Sequence, residues 1–385
     1  RARSWFVTVG LSLIAVCHSS GQDSTDRAPG ARLETEIQAL AGQHGVVGMQ
    51  IAVGVDGAIA WTGSFGMADL EHDSKVTDAT LFRTASVSKW MTATAALRLV
   101  ELRQLNLDAP VQEYCSKYPE KQWKLTTRHL LGHRGGIRAY WGANGEPHET
   151  PKEQMMLRRR ITTEQLTSTM RHTDVLTPLE QFKANPLQFE PGTEFRYTSL
   201  GYRLVGCVIR GAAGSSYADA MQKHVFGPAG MSRTRNDDAY AIIRGRARGY
   251  SLTPGGELRR SRFQDVSGNL PAGGHLSTAS DLVRFALAWN SGKLVNESSK
   301  KAMMTPPDGT EDLEEFYGLG VGVRREGGHL LLSHSGGQAG ASVRLTLNVD
   351  TGRVIAWMVN SDAVDPIEFD VLVRSAVNRI LDGSK

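Results

Sequence analysis

The segment FRTASVSKWMTATAALRLVE (residues 82–101) decides how the chain is read. It places Ser86 three residues before Lys89, with no charged side chain between Trp90 and Leu97. A helix that is apolar on nearly all sides is a buried one. The pattern therefore predicts a buried helix from Ser86 to Glu101, broken by Asn106-Leu107-Asp108-Ala109-Pro110. Residues i and i+3 share a helix face, so Lys89 falls one turn above Ser86 and within reach of it. A serine hydroxyl is a weak nucleophile until a base removes its proton. Burial lowers a lysine's proton affinity, which makes a neutral Lys89 a candidate base. Ser86 in the first turn would also face unpaired backbone N–H groups and the positive end of the helix dipole. S-x-x-K alone is a common tetrapeptide, so its meaning rests on partners elsewhere.

Two stretches offer partners. In FEPGTEFRYTSLGYRLVG (189–206), Glu190-Pro191-Gly192 reads as a turn, and Tyr197 stands just before the apolar helical run Leu200–Ile209. Tyr197 could present its phenol to the serine as a proton carrier; its bland alternative is a core tyrosine capping a helix start. In LLLSHSGGQAGAS (330–342), a strand ends in His334-Ser335-Gly336-Gly337. Glycines there let a substrate lie against the backbone. The N–H of Gly337, paired with that of Ser86, could form an oxyanion hole. The bland alternative is a glycine-rich hairpin with a surface histidine.

The rest of the chain frames these segments. Its 385 residues can bury a substantial core, and the composition is that of an ordinary globular protein. The net charge of +4 is a mild basic excess. Arg158-Arg159-Arg160 and Arg259, Arg260 and Arg262 are the densest basic spots, but neither is interleaved with aromatics, so nucleic-acid binding is not expected. Residues 1–22 carry Arg1 and Arg3, an apolar stretch from Trp5 to Cys17 and the small residues Ser19-Ser20-Gly21. That order matches a secretory signal peptide and is too short to span a bilayer. Ile14-Ala15-Val16-Cys17 faintly suggests a lipoprotein site, although Val16 suits one poorly. Membrane contact is expected only through such an anchor at Cys17. A polar linker follows over residues 23–34. The two remaining cysteines, Cys115 and Cys207, are far apart and in no C-x-x-C arrangement; two buried free thiols are expected rather than a disulfide.

Met49–Val55 and Ile59–Phe65 read as strands around an Asp56-Gly57 hairpin turn. Gly318–Val323, His329–His334, Ser342–Val349 and Val354–Asn360 read as strands separated by short glycine-containing returns, which favours antiparallel pairing. Residues 366–381 close the chain as an amphipathic helix. Between these ends, residues 104–250 are helical in pattern. The expectation is an α/β protein of the α+β type: a central antiparallel sheet flanked by helices, formed by residues 35–103 and 251–385, with 104–250 as an inserted, mainly helical lobe.

Several ordered motifs in one chain then resemble the serine β-lactamase and penicillin-binding-protein superfamily, in particular its class C-like serine hydrolases (peptidase family S12). They are S-x-x-K at Ser86–Lys89, LTTRHLLGHRGGI (125–137), FEPGTEFRYTSLGY (189–202), AGGHLSTASDLVRF (272–285) and SHSGGQAGAS (333–342). The resemblance runs from about residue 35 to 380. It implies a β-lactamase/transpeptidase-like fold, Ser86 as the acylated nucleophile, Lys89 as its activator and Tyr197 as the proton shuttle of a Y-x-N motif. His334, Ser335 and Gly336 fall at the K-T-G motif. There His334, neutral or charged, can donate to a substrate carboxylate or carbonyl while fixing less charge than lysine would. Ser199 stands where the motif has asparagine, and a hydroxyl cannot reproduce the amide's donor and acceptor geometry. That departure favours a peptide or ester substrate over a β-lactam.

No cofactor and no metal are expected. His129 and His133 are four apart, but there is no H-E-x-x-H and no third ligand, so a structural segment is the reading preferred. His275 and Glu190 are read as turn residues, and Ser88 as a helix-start serine. The expected protein is a secreted serine hydrolase, in a bacterial periplasm, acting on a small-molecule or peptide acyl substrate. A β-lactamase or D-Ala-D-Ala carboxypeptidase, a sensor that is acylated once, and an assembly protein are the alternatives. Loops 138–188 and 303–316 are expected to shape the cleft.

Overall fold

The computed structural model describes residues 29–139 and 169–383. The expected signal segment with Cys17, the linker up to residue 28 and the Arg158-Arg159-Arg160 run lie outside the described residues.

The strands, in chain order, are β1 (Gly48–Val55), β2 (Ala58–Asp69), β3 (Ser74–Lys75), β4 (Phe82–Arg83), β5 (Arg235–Asn236), β6 (Tyr250–Leu252), β7 (Leu258–Arg260), β8 (His275–Ser277), β9 (Glu315–Tyr317), β10 (Gly322–Glu326), β11 (His329–Gln338), β12 (Ala341–Asn348) and β13 (Val354–Val359). Eight of them form one sheet in the order β3-β2-β1-β13-β12-β11-β10-β9, antiparallel throughout. Strands from the two ends of the chain thus meet at the β1·β13 ladder, where Ile51 faces Trp357 and Ala52 faces Ala356. Two very short strands, β3 and β9, blunt the edges of the sheet against pairing with other chains.

β1 and β13 are apolar along nearly their whole length because helices cover both faces. Side chains alternate across a strand, and that alternation separates two cores. Met49, Ile51, Val53, Ile355, Trp357 and Val359 pack with the helices Pro29–Gln43 and Pro366–Leu381 on one face. Ala52, Val354, Ala356 and Met358 point to the other face, into the core shared with the helices Ser88–Glu101 and Ala279–Asn290. There Trp90 packs edge-on against Phe285 and Trp289, with ring centroids 5.5 and 5.8 Å away. The expected fold class is the observed one, a large antiparallel sheet flanked by helices.

Three local differences have physical causes. Of the expected strand Gly318–Val323, only Gly322 and Val323 are strand, at the start of β10; residues 318–321 are a turn between β9 and β10. Gly320 adopts φ 88°, donates to Leu131 O, and sits so close to the Ser88–Glu101 helix that a Cβ would lie 2.2 Å from that of Ala93. β11 does not stop at His334 but runs through both glycines to Gln338, because Gly336, Gly337 and Gln338 pair with Val343, Ser342 and Ala341. Finally, Cys115 and Cys207 form a disulfide, with Cα atoms 5.5 Å apart, contrary to the free-thiol expectation. The helix Ser199–Ala213 lies directly on the Tyr114–Cys115 segment: a Cβ on Gly211 would meet Tyr114 O at 1.8 Å. That approach brings together two cysteines 92 residues apart in sequence.

Candidate active site

Ser86 occupies a 3₁₀ turn, Ala85–Val87, that leads into the helix Ser88–Glu101. The residue before it, Ala85, takes φ 41° although it is not glycine. Such a conformation costs roughly 1–3 kcal/mol and persists only where packing overdetermines it. Ala85 is fully buried, and Gly336 of β11 presses on the turn: a Cβ there would stand 2.7 Å from Ser86 N and 2.8 Å from Ala85 Cβ. Only glycine lets β11 approach so closely.

Lys89 is fully buried, with Nζ 3.0 Å from Ser86 Oγ and donating to Ala272 O at 2.9 Å. No carboxylate pairs with it among the described residues. Burial alone holds its pKa well below the ordinary lysine value. The faces of Tyr197 and Tyr202 stand 4.9 and 5.7 Å from Nζ. Ser88 points elsewhere, to Thr84 Oγ1 at 2.8 Å and His275 Nδ1 at 3.1 Å. His275 is buried in β8, where desolvation pushes its pKa down to about 3, so it is neutral and not a turn residue.

Tyr197 does not cap the helix Ser199–Ala213. Thr198 does so, its hydroxyl accepting from Leu200 N–H, and Tyr197 is 40% exposed rather than in the core. Its ring lies against His133, centroids 4.1 Å apart, and faces the lysine amine. Ser199, in the first turn of that helix, is buried and lines the same cleft as Ser86. Gly337 lines it as well, and a Cβ there would meet nothing within 4 Å, so its backbone borders open space. The cleft holds about 520 Å³ and is also bounded by Arg203, Asp265 and Gln338.

His334 differs from its expected role. Its Nδ1 lies 2.7 Å from Ser335 O, a carbonyl that can only accept, so Nδ1 carries the proton. Nε2 must then accept, and Tyr317 O–H donates to it at 2.9 Å. Desolvation, reinforced by the nearby Lys89, lowers the His334 pKa to about 3. The ring is neutral with both nitrogens engaged, and it offers no hydrogen to a substrate. Ser335 follows it on β11, paired with Arg344.

Sequence reasoning missed the aromatic wall behind the lysine. Tyr202 donates to Leu131 O at 2.9 Å, Tyr317 reaches His334, and His133, fully buried, accepts from Thr198 N–H through Nδ1 at 3.2 Å. Burial keeps His133 far below the ordinary histidine range, with Lys89 adding to the effect. The spacing of Tyr202 within the apolar helix signalled burial but not its neighbours; Tyr317 carried no signal in its own stretch. His133 belongs to this wall, and among the described residues the one group of three potential metal ligands is elsewhere, at Asp69, Glu71 and His72. The Glu190 carbonyl accepts from Thr193 in a turn.

Residues 33–376 match the family described as Beta-lactamase. The chain is 28% identical to the serine beta-lactamase-like protein LACTB, mitochondrial, of Mus musculus, across 84% of this chain and 75% of that protein. It is 26% identical to penicillin-binding protein 4* of Bacillus subtilis (strain 168), across 91% of this chain and 76% of that one. The crystal structure of a penicillin binding protein from Bacillus halodurans has the same fold, with a TM-score of 0.73 over 88% of this chain and 98% of that chain at 22% identity.

Proposed function

The chain belongs to the beta-lactamase family of serine hydrolases, and from that premise we propose that it cleaves peptide or ester substrates through an acyl-enzyme on Ser86. The observation that carries this reading is the buried amine of Lys89, 3.0 Å from Ser86 Oγ and, among the described residues, without a carboxylate to keep it protonated. Neutral Lys89 takes the hydroxyl proton as Oγ bonds to the acyl carbon, and the carbonyl electron pair moves onto oxygen. That oxygen is held by the N–H groups of Ser86 and Gly337. Collapse expels the leaving group, which receives the proton from Lys89 by way of the Tyr197 phenol. Water then attacks the ester, with the same groups acting in reverse order, and frees Ser86.

Two features favour a substrate without a free carboxylate beside the scissile bond. His334 is neutral and spends both nitrogens on Ser335 O and Tyr317, and Ser199 stands where an amide would have been. The secretory reading of residues 1–22 is supported by the Cys115–Cys207 disulfide, which suits an oxidising compartment such as a periplasm.

A fluorophosphonate probe should label the wild type and not Ser86→Ala. Among short acyl esters, nitrocefin, D-Ala-D-Ala peptides and acidic-residue peptides, the esters or a peptide should be turned over beyond one equivalent. Equal labelling of both proteins would overturn the assignment of Ser86. Product release that stops at one equivalent would replace the hydrolase by an acyl-binding sensor.

A further inference from the structure

A second cavity, of about 190 Å³, adjoins the Ser86 cleft, and Gln264 lines both. Arg83, Arg246, Arg248, Arg260 and Arg262 line it, and among the described residues no carboxylate does. Three acidic residues pair with four of these arginines without lining the cavity. Asp237, buried, lies 2.8 Å from Arg83 and 3.4 Å from Arg246; Asp69 is 3.4 Å from Arg248 and Glu71 is 3.3 Å from Arg260. Arg262 is exposed and has no ion pair among the described residues. The guanidinium groups are therefore partly anchored and still outnumber the carboxylates that hold them. Forked, permanently charged donors around a small cavity suit an oxyanion.

The backbone builds this cavity against the catalytic strand. Gly340, in the β11–β12 turn at φ 66°, lies so near Gly249 that a Cβ would stand 2.5 Å from the Gly249 Cα. This contact seats the β6–β7 hairpin and its flanking arginines beside Ala339–Ala341, while Gly337 and Gln338 of the same β-hairpin line the Ser86 cleft. A substrate reaching past Gln338 would meet the arginines next.

We infer that this arginine cavity is a subsite for an anionic group, carboxylate or phosphate, carried on the part of the acyl substrate remote from the scissile bond. The inference rests on Ser86 being the nucleophile. It deepens the substrate reading: neutral beside the scissile bond, negative at a distance.

The test compares acyl esters bearing a terminal carboxylate or a terminal phosphate with uncharged esters of equal length, over a series of chain lengths. At the length that spans the two cavities, kcat/KM should favour an anionic ester by about tenfold or more, the worth of roughly one net charge-assisted hydrogen bond. The carboxylate and phosphate series tell which oxyanion is preferred. The double variant Arg260→Ala/Arg262→Ala should lose the preference and keep neutral-ester turnover, and Arg262→Lys should retain part of it. Neutral esters hydrolysed with no charge preference at any length would overturn the subsite while leaving Ser86 as nucleophile. So would a preference that survives the double variant, or a variant in which neutral and anionic turnover fall together. No turnover and no labelling at all would instead strike the Ser86 reading.

Discussion

Lys89 is held by two oxygens, Ser86 Oγ and Ala272 O, and by the faces of two tyrosines. Desolvation penalises its charged form, and neither neutral histidine nearby compensates for it. In the proposed mechanism the neutral amine is the base, so kcat/KM should rise with pH through the lowered pKa of Lys89, with its acid limb well under the ordinary lysine range. Lys89→Arg keeps a positive charge at every pH and cannot accept the proton. It should lose about 10²–10⁴-fold in kcat across the whole pH range, the usual worth of a general base. A pH–rate profile of the two proteins checks this; an arginine variant that stays active, or an acid limb near the free-lysine value, would remove Lys89 from that role.

At the scale of elements, the helix Ser199–Ala213 carries the site's second wall. Its first turn presents Ser199, with Tyr197 just ahead of it, and its middle packs on Pro271 so tightly that a Cβ on Gly206 would lie 2.3 Å from the Pro271 Cγ. Pro271 precedes Ala272, whose carbonyl accepts from the Lys89 amine, so this helix, the Leu270–Gly273 turn and the helix Ser88–Glu101 form one packed unit. Cys207 ties the unit to Cys115 across 92 residues. A cross-link closing so long a loop restricts the unfolded chain, and its removal typically costs about 2–4 kcal/mol. Cys115→Ala/Cys207→Ala should therefore melt at lower temperature than the oxidised wild type. Adding a reductant should lower the wild-type Tm toward that of the variant and leave the variant unchanged. A wild-type Tm indifferent to reductant would show that the bond does not form or does not stabilise.

For the whole molecule, the cost of burying neutral histidines appears as a dependence of stability on pH. His275 and His334 both fall to about 3 in the folded protein, chiefly through desolvation, from an ordinary value of 6.5. Above pH 6.5 neither the folded nor the unfolded chain protonates them, and they contribute no slope. As pH falls from 6.5 toward 3, the unfolded chain takes up protons that the folded one refuses, so stability declines and then levels off. The slope is at most about 1.4 kcal/mol per pH unit for each histidine. Calorimetry from pH 7 down to about 4 should show Tm decreasing, and His275→Asn should make the decrease shallower. A wild-type Tm that stays flat over that interval would mean that these rings are protonated or solvated in the fold.

Much of this was legible in the chain because local pattern and burial coincide. The uncharged run from Trp90 to Leu97 reads as a buried helix, and helical spacing brings Lys89 to Ser86. The Asp56-Gly57 turn and the apolar runs at both ends announced the sheet. Other features depend on approach between segments distant in sequence, which no local pattern encodes. Gly336 wedges against the Ser86 turn, Gly320 lies against Ala93, and Gly211 lets Cys207 reach Cys115. The tautomer of His334 was undecided until Ser335 O and Tyr317 stood beside it. The sequence by itself determined which residues are nucleophile and base candidates and which segments are core, because periodicity and composition are local properties. Only the tertiary structure decided what lowers the lysine's proton affinity, which histidine hydrogens are spent and where the arginines gather, because desolvation and hydrogen-bond saturation depend on neighbours brought together across the whole fold.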